Sequence, residues 1–166
     1  HEVAAQLERL GFHHGLVVEV DARHGEIMSG FDRVLVDAPC SDLGALASRP
    51  DARWRKSPAL IERVAELQGE ILDRAAGFLR EGGSLVYSTC TVTPEENEGV
   101  IRGFMATRAN WRVAPRESAP PELRALIGED GFLRLEPHVH DTDGFFAAKL
   151  VRGGAPRAST ADPAAT

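Results

Sequence analysis

The sequence predicts an α/β fold: a mostly parallel sheet with helices on both faces. Three observations lead there. Short apolar runs alternate with segments of helical period, the pattern of strands joined by crossover helices. The run Arg33–Val36 is continuously apolar after its arginine, which suits a strand buried on both faces. Phe132–Leu135 and Gly144–Val151 read as the last two strands, and their short connection makes that pair an antiparallel edge.

The elements follow in order. Val3, Leu7 and Leu10 share one face of a helix that Gly11 stops. Leu16–Val20 reads as a strand ending at Asp21, and Ala22–Gly30 as a polar connection. His13-His14 reads as polar loop. Ala38–Lys56 holds Pro39, Gly44 and Pro50 and cannot be one helix; loops of this length are usually functional. Ser57-Pro58 opens the clearest helix. Its Leu60, Ile61, Val64, Leu67, Ile71, Leu72, Ala75, Phe78 and Leu79 recur at helical spacing until Gly82-Gly83. Leu85, Val86 and Tyr87 form the next buried strand. Thr93, Pro94 and Glu96 look like an N-cap, a first helical position and a capping box for a helix to Arg108. Trp111–Ala114 reads as a strand and Glu122–Ile127 as a helical turn. Gly153–Thr166 is rich in Ala, Pro, Ser and Thr, and reads as a disordered tail.

Composition narrows the function classes. The 166 residues suffice for one domain with a core, at 43% hydrophobic and 27% charged. No run of eighteen apolar residues occurs, so no membrane partner is expected. Two cysteines are too few for a disulfide scaffold. A Cys40–Cys90 bridge is open, but free thiols in a reducing cytoplasm are the expected state. The net charge of −6 does not point to nucleic acid, whereas the local patch Arg49, Arg53, Arg55, Lys56 and Arg63 can.

Asp37-Ala-Pro-Cys40 puts a carboxylate and a thiol at the end of one strand, and Ser88-Thr-Cys90 puts a thiol at the end of the next parallel one. Neighbouring strands lie about 5 Å apart, so both thiols can flank one pocket. Ligands bind at the carboxyl ends of such strands. A helix start near Thr93 would lower the Cys90 pKa and make its thiolate nucleophilic. The residues alone leave a second reading open, two small buried hydrophobes. His138-Val-His140 has no partner cluster with ligand spacing, so no metal is expected. Glu95 and Glu96 serve the helix start. Trp54 and Trp111 read as core, with Trp54 alternatively a base-stacking platform.

Asp37-Ala-Pro-Cys-Ser-Asp-Leu-Gly44, Arg49-Pro-Asp-Ala-Arg-Trp54, Leu67-Gln68, Tyr87-Ser-Thr-Cys-Thr91, Pro94-Glu-Glu-Asn97 and Asp143-Gly-Phe-Phe146 resemble the Sun-type RNA cytosine-5 methyltransferases. The nearest branch is the one acting on small-subunit ribosomal RNA. The resemblance spans nearly all of residues 1–151. It implies a Rossmann-like fold, S-adenosylmethionine as cofactor and RNA as partner. It also implies methyl transfer to carbon 5 through a cysteine–carbon 6 adduct. By the same resemblance Cys90 is the nucleophile and Cys40 aids product release. Asp37 places cofactor and target base, with Asp21 near the adenine and Pro39 beside the cofactor. Arg49, Arg53, Arg55 and Lys56 would meet RNA phosphates.

Two departures stand out. Asp42 occupies a position where the family often has a small residue. The Gly-rich cofactor loop and the acidic residue after the second strand are absent. In the family both precede the position of His1, together with two strands that belong between Leu16–Val20 and Arg33–Val36. The expectation is therefore that residues 1–152 are the carboxyl part of the catalytic domain of a longer chain, whose remainder is a partner upstream of His1. That missing cradle keeps a rival reading open, a catalytically incomplete fragment that binds RNA or a protein partner. A dithiol redox protein is a third reading, with no Cys-x-x-Cys to support it.

Overall fold

The computed structural model describes residues 2–12 and 15–153. His13-His14 and the tail expected beyond Gly153 lie outside the described residues. Five strands form one sheet: β1 (Phe31–Asp37), β2 (Leu79–Thr89), β3 (Trp111–Val113), β4 (Phe132–Leu135) and β5 (Phe145–Arg152). The helices are α1 (Glu2–Arg9), α2 (Pro58–Phe78), α3 (Val100–Ala106) and α4 (Pro137–His140).

The strand order is β1-β2-β5-β3, with β4 also on β5. β1 and β2 are parallel, joined by the α2 crossover that parallel strands require. The other three named pairings are antiparallel, so the sheet is mostly antiparallel, not mostly parallel. The cause is β5. It enters antiparallel beside β2, and its other edge is shared end to end by β4 and β3. The last strand is thus interior, not an edge.

Leu72 of α2, Leu85 and Tyr87 of β2, Ile101 of α3 and Phe146 and Leu150 of β5 form the buried core. The Phe146 ring meets Tyr87 edge-on and tilts against Phe132. Trp111 is core as expected, edge-on to Phe104. α2 and α3 pack against each other over this core. β1 is not buried on both faces: Val36 is buried, but Leu35 is 69% exposed.

Other expectations shift for local reasons. Leu16–Val20 forms no strand. No described strand offers it backbone partners, and Leu16 is 81% exposed. α1 forms, but Val3 and Leu10 on its apolar face stay exposed. α2 begins on the Ser57 cap, whose hydroxyl accepts from Leu60 N at 3.2 Å. It stops at Phe78 rather than at Gly82-Gly83, which lie inside β2. There the register slips between Phe31 and Arg33, and Gly82 adopts a left-handed φ of 75°. The helix from Pro94 to Arg108 is a π-helical turn, Glu95–Gly99, followed by the shorter α3.

Candidate active site

The parallel register sets Asp37 beside Ser88, and Ala38 N extends the ladder to Ser88 O at 2.9 Å. Both strands therefore release their chains at one level. Cys40 and Cys90 follow three and one residues past the ends of β1 and β2, and their Sγ atoms lie 3.1 Å apart. Both are free thiols, half-buried.

Two glycines hold the loops in this approach. Gly44 N donates to Cys90 O at 3.1 Å, and Gly144 N donates to Gly44 O at 2.8 Å. A Cβ on Gly44 would come within 2.5 Å of Gly144 O and 2.8 Å of Cys90 O. Only glycine leaves that space. Ser48 Oγ adds a bond to Asp143 Oδ2 at 2.8 Å from the far side of the same loop.

Asp42 completes the group. It adopts a left-handed φ of 56°, a conformation Asp tolerates better than most residues. Cys90 Sγ donates to Asp42 Oδ1 at 2.9 Å, and Cys40 Sγ lies 3.5 Å from the same oxygen. Lys56 Nζ is 3.9 Å from Asp42 Oδ2.

This environment reverses the pKa shift expected for Cys90. Burial pushes the Cys90 thiol well above its ordinary pKa, and the adjacent Asp42 and Cys40 add to the rise. Burial also raises Cys40. Asp42 is held below the usual carboxylate range, first by the Cys90 thiol, then by the Cys40 thiol, Lys56 and Arg49. The resting pair is thiol and carboxylate.

Beneath the thiols sits a feature the sequence reading missed. Glu96 is fully buried, and its carboxylate gathers donors from three segments. Ser41 N and Gln68 Nε2 donate to it at 2.8 and 3.0 Å, Thr93 Oγ1 at 2.8 Å, Thr91 Oγ1 at 3.3 Å, and Ser41 Oγ as well. Gln68 also reaches Pro39 O at 2.9 Å. Thr93 therefore does not cap a helix backbone; its hydroxyl serves the carboxylate. Tyr87 OH donates to Glu96 O at 2.7 Å, and Thr89 Oγ1 to Asn97 Oδ1 at 2.6 Å. These bonds fix the backbone on either side of Cys90. The clue available in sequence was the hydroxyl run around Cys90 with an acid, Glu96, six residues on.

A cavity of about 410 Å³ opens beside β1, walled by Ala22, Ile27, Val34 and Phe78 and bordered by Asp37 and Pro39. Its volume and apolar walls suit a small-molecule ligand. The exposed Asp37 carboxylate accepts from Ser88 Oγ at 3.1 Å. Asp21, next to Ala22, is clamped by Arg23 Nε at 3.0 Å and Nη2 at 2.7 Å, which hold its carboxyl well below the usual range.

The basic patch divides. Lys56 turns inward to Asp42, and Arg55 pairs with Asp51 at 3.0 Å. Arg49 is exposed. Arg53 lies over the Trp54 ring at 4.8 Å, and Trp54 is 79% exposed, so it is no core residue. His138 and His140 join no cluster with metal-ligand geometry among the described residues.

The fold is the one shared by solved S-adenosylmethionine-dependent methyltransferases of Rossmann-like fold. NSun6 from Pyrococcus horikoshii, solved with SFG, superimposes with a TM-score of 0.75 at 32% identity, over 92% of this chain and 38% of its own. The chain belongs to the family of the 16S rRNA methyltransferase RsmB/F, whose model matches residues 1–151. A probable ribosomal RNA small subunit methyltransferase B of Synechocystis is 44% identical over 72% of this chain and 27% of its own length. A putative methyltransferase of Mycobacterium tuberculosis is 43% identical over 83% of this chain and 31% of its own. The chain thus spans about three-tenths of the curated relatives it matches.

Proposed function

We propose that residues 1–152 are part of the catalytic domain of an RNA methyltransferase that modifies carbon 5 of cytosine, with ribosomal RNA in the cytoplasm as its substrate. The observation that carries this reading is the convergence of Cys90, Cys40 and Asp42 within hydrogen-bond reach. Carbon 5 of cytosine is a poor nucleophile. Addition of Cys90 sulfur to carbon 6 makes it enamine-like. Asp42 Oδ1 is placed to take the Cys90 proton as the carbon–sulfur bond forms. That coupling is needed because the resting thiol is held protonated.

S-adenosylmethionine supplies an electrophilic methyl group when bound. Asp37 and Pro39 line the cavity along β1, Asp21 precedes its wall residue Ala22, and these three are the residues of this chain that would hold the cofactor. After methylation a base removes the carbon 5 proton, the electrons reform the ring double bond, and Cys90 leaves. Cys40, 3.1 Å from Cys90 Sγ, is placed to assist that departure. Arg49, Arg53 and Arg55 face solvent for RNA phosphates, with Trp54 as a stacking surface and Lys56 turned toward Asp42 beside them. The target base must leave its stack to enter, at a cost of about a few kcal/mol.

The test is nucleoside analysis of ribosomal RNA after reaction with the full chain and S-adenosylmethionine. 5-Methylcytidine is expected. A methyl group found only on a ring nitrogen or a ribose would refute the carbon 5 assignment.

A further inference from the structure

We propose that Cys40, Asp42 and Cys90 form a site for a soft divalent cation of the Zn²⁺ type. The inference is independent of the methyl-transfer reading, because it needs only three ligand atoms and their surroundings.

The two sulfurs and the Asp42 carboxylate lie within 4.8 Å of one another. They approach at 3.1 Å between sulfurs, and at 2.9 and 3.5 Å from Asp42 Oδ1 to Cys90 and Cys40. Zn–S bonds of about 2.3 Å and Zn–O bonds of about 2.0–2.2 Å give tetrahedral edges of about 3.8 Å between sulfurs and about 3.5 Å from sulfur to oxygen. The ligands need to spread by less than about 1 Å, within rotamer adjustments of half-exposed side chains. Two thiolates select a soft ion over Mg²⁺ or Ca²⁺.

Charge agrees. Ligation releases one proton from each thiol to solvent, leaving two thiolates and a carboxylate around a dication. The net charge of that group is −1, and Lys56 at 3.9 Å from Asp42 Oδ2 offsets it. The backbone is prepared as well, because the Gly44–Gly144 contact and the Glu96 bonds hold both loops without using any ligand atom. Three protein ligands leave a fourth position open to water or a further donor.

Titration of the full chain with Co²⁺, kept reduced by a phosphine, tests the site. A near-ultraviolet thiolate-to-cobalt charge-transfer band is expected, bleached by Zn²⁺. Cys40→Ser removes at least half of its intensity. Asp42→Asn weakens Co²⁺ binding about tenfold or more, the loss seen even for supporting groups. Asn tolerates the left-handed backbone of this position, so the fold is kept. An absent band, or one that Asp42→Asn leaves at wild-type affinity, overturns the site. Neither result bears on RNA methylation, which is measured separately.

Discussion

Cys40 Sγ and Cys90 Sγ stand 3.1 Å apart across fifty residues of chain. One dithiol pair at the shared end of two parallel strands has a direct chemical consequence. Disulfide formation needs the sulfurs to close to about 2.05 Å, roughly 1 Å from where they are. Hydrogen peroxide should therefore oxidise the pair within the chain, two thiols and one peroxide giving a disulfide and two waters. Intact mass should fall by about 2 Da, as the loss of two hydrogens in that bond requires, and a reductant should restore it. Oxidation that yields only sulfinic acids or intermolecular dimers would contradict the geometry.

Glu96→Ala should destabilise the chain by about 3 kcal/mol or more, since several buried donors lose their acceptor together. Ser41 N and Gln68 Nε2 have no water to turn to, because Ser41, Gln68 and Glu96 are all essentially buried. The denaturant midpoint measures this. A loss below about 1 kcal/mol, the net worth of one ordinary hydrogen bond, would mean that Glu96 does not hold the loops.

Acid should weaken the β4 end of the sheet. Arg134 holds the Asp130 carboxyl below its usual range while also reaching Glu98 at 2.7 Å. A depressed carboxyl stabilises the fold above its unfolded pKa of about 3.9, and that contribution is lost as pH falls through the folded value. Asp130 is nearly half exposed, so the effect is no more than about 1 kcal/mol. Asp130→Asn should lower stability at pH 7 and leave it unchanged near pH 2. Equal loss at both pH values would show that the ion pair is not the cause.

Trp54→Ala should leave the unfolding midpoint in place, since the ring is 79% exposed. RNA affinity of the full chain should fall by about 5- to 100-fold, the worth of one stacked base. Unchanged affinity in a binding titration would remove Trp54 from the RNA surface.

The parts of this molecule legible in sequence were those written in short-range pattern. α2 announced itself by its apolar period and its Ser57 cap, and the strand–thiol junctions by apolar runs ending in Asp37 and Cys90. Long-range pairing was not legible. Nothing local in Phe145–Arg152 says that it inserts beside β2 and turns the sheet mostly antiparallel. Leu16–Val20 has strand composition, yet a strand exists only with a neighbour to bond. Glu96 fitted a capping box three residues after Thr93, and besides the Thr93 hydroxyl its carboxylate bonds Ser41 and Gln68, 55 and 28 residues away. Asp42 looked like a local irregularity, and only its left-handed backbone, which aims the carboxylate at both sulfurs, gives it a role.

In the proposed reaction Cys90 attacks the base. The full chain, supplied with S-adenosylmethionine and an RNA carrying 5-fluorocytosine at the target position, tests it most directly, because fluorine at carbon 5 blocks the final elimination. A denaturation-resistant protein–RNA adduct that maps to Cys90 and vanishes in Cys90→Ala is the predicted result. An adduct that persists in Cys90→Ala, or that maps to Cys40, would contradict the account.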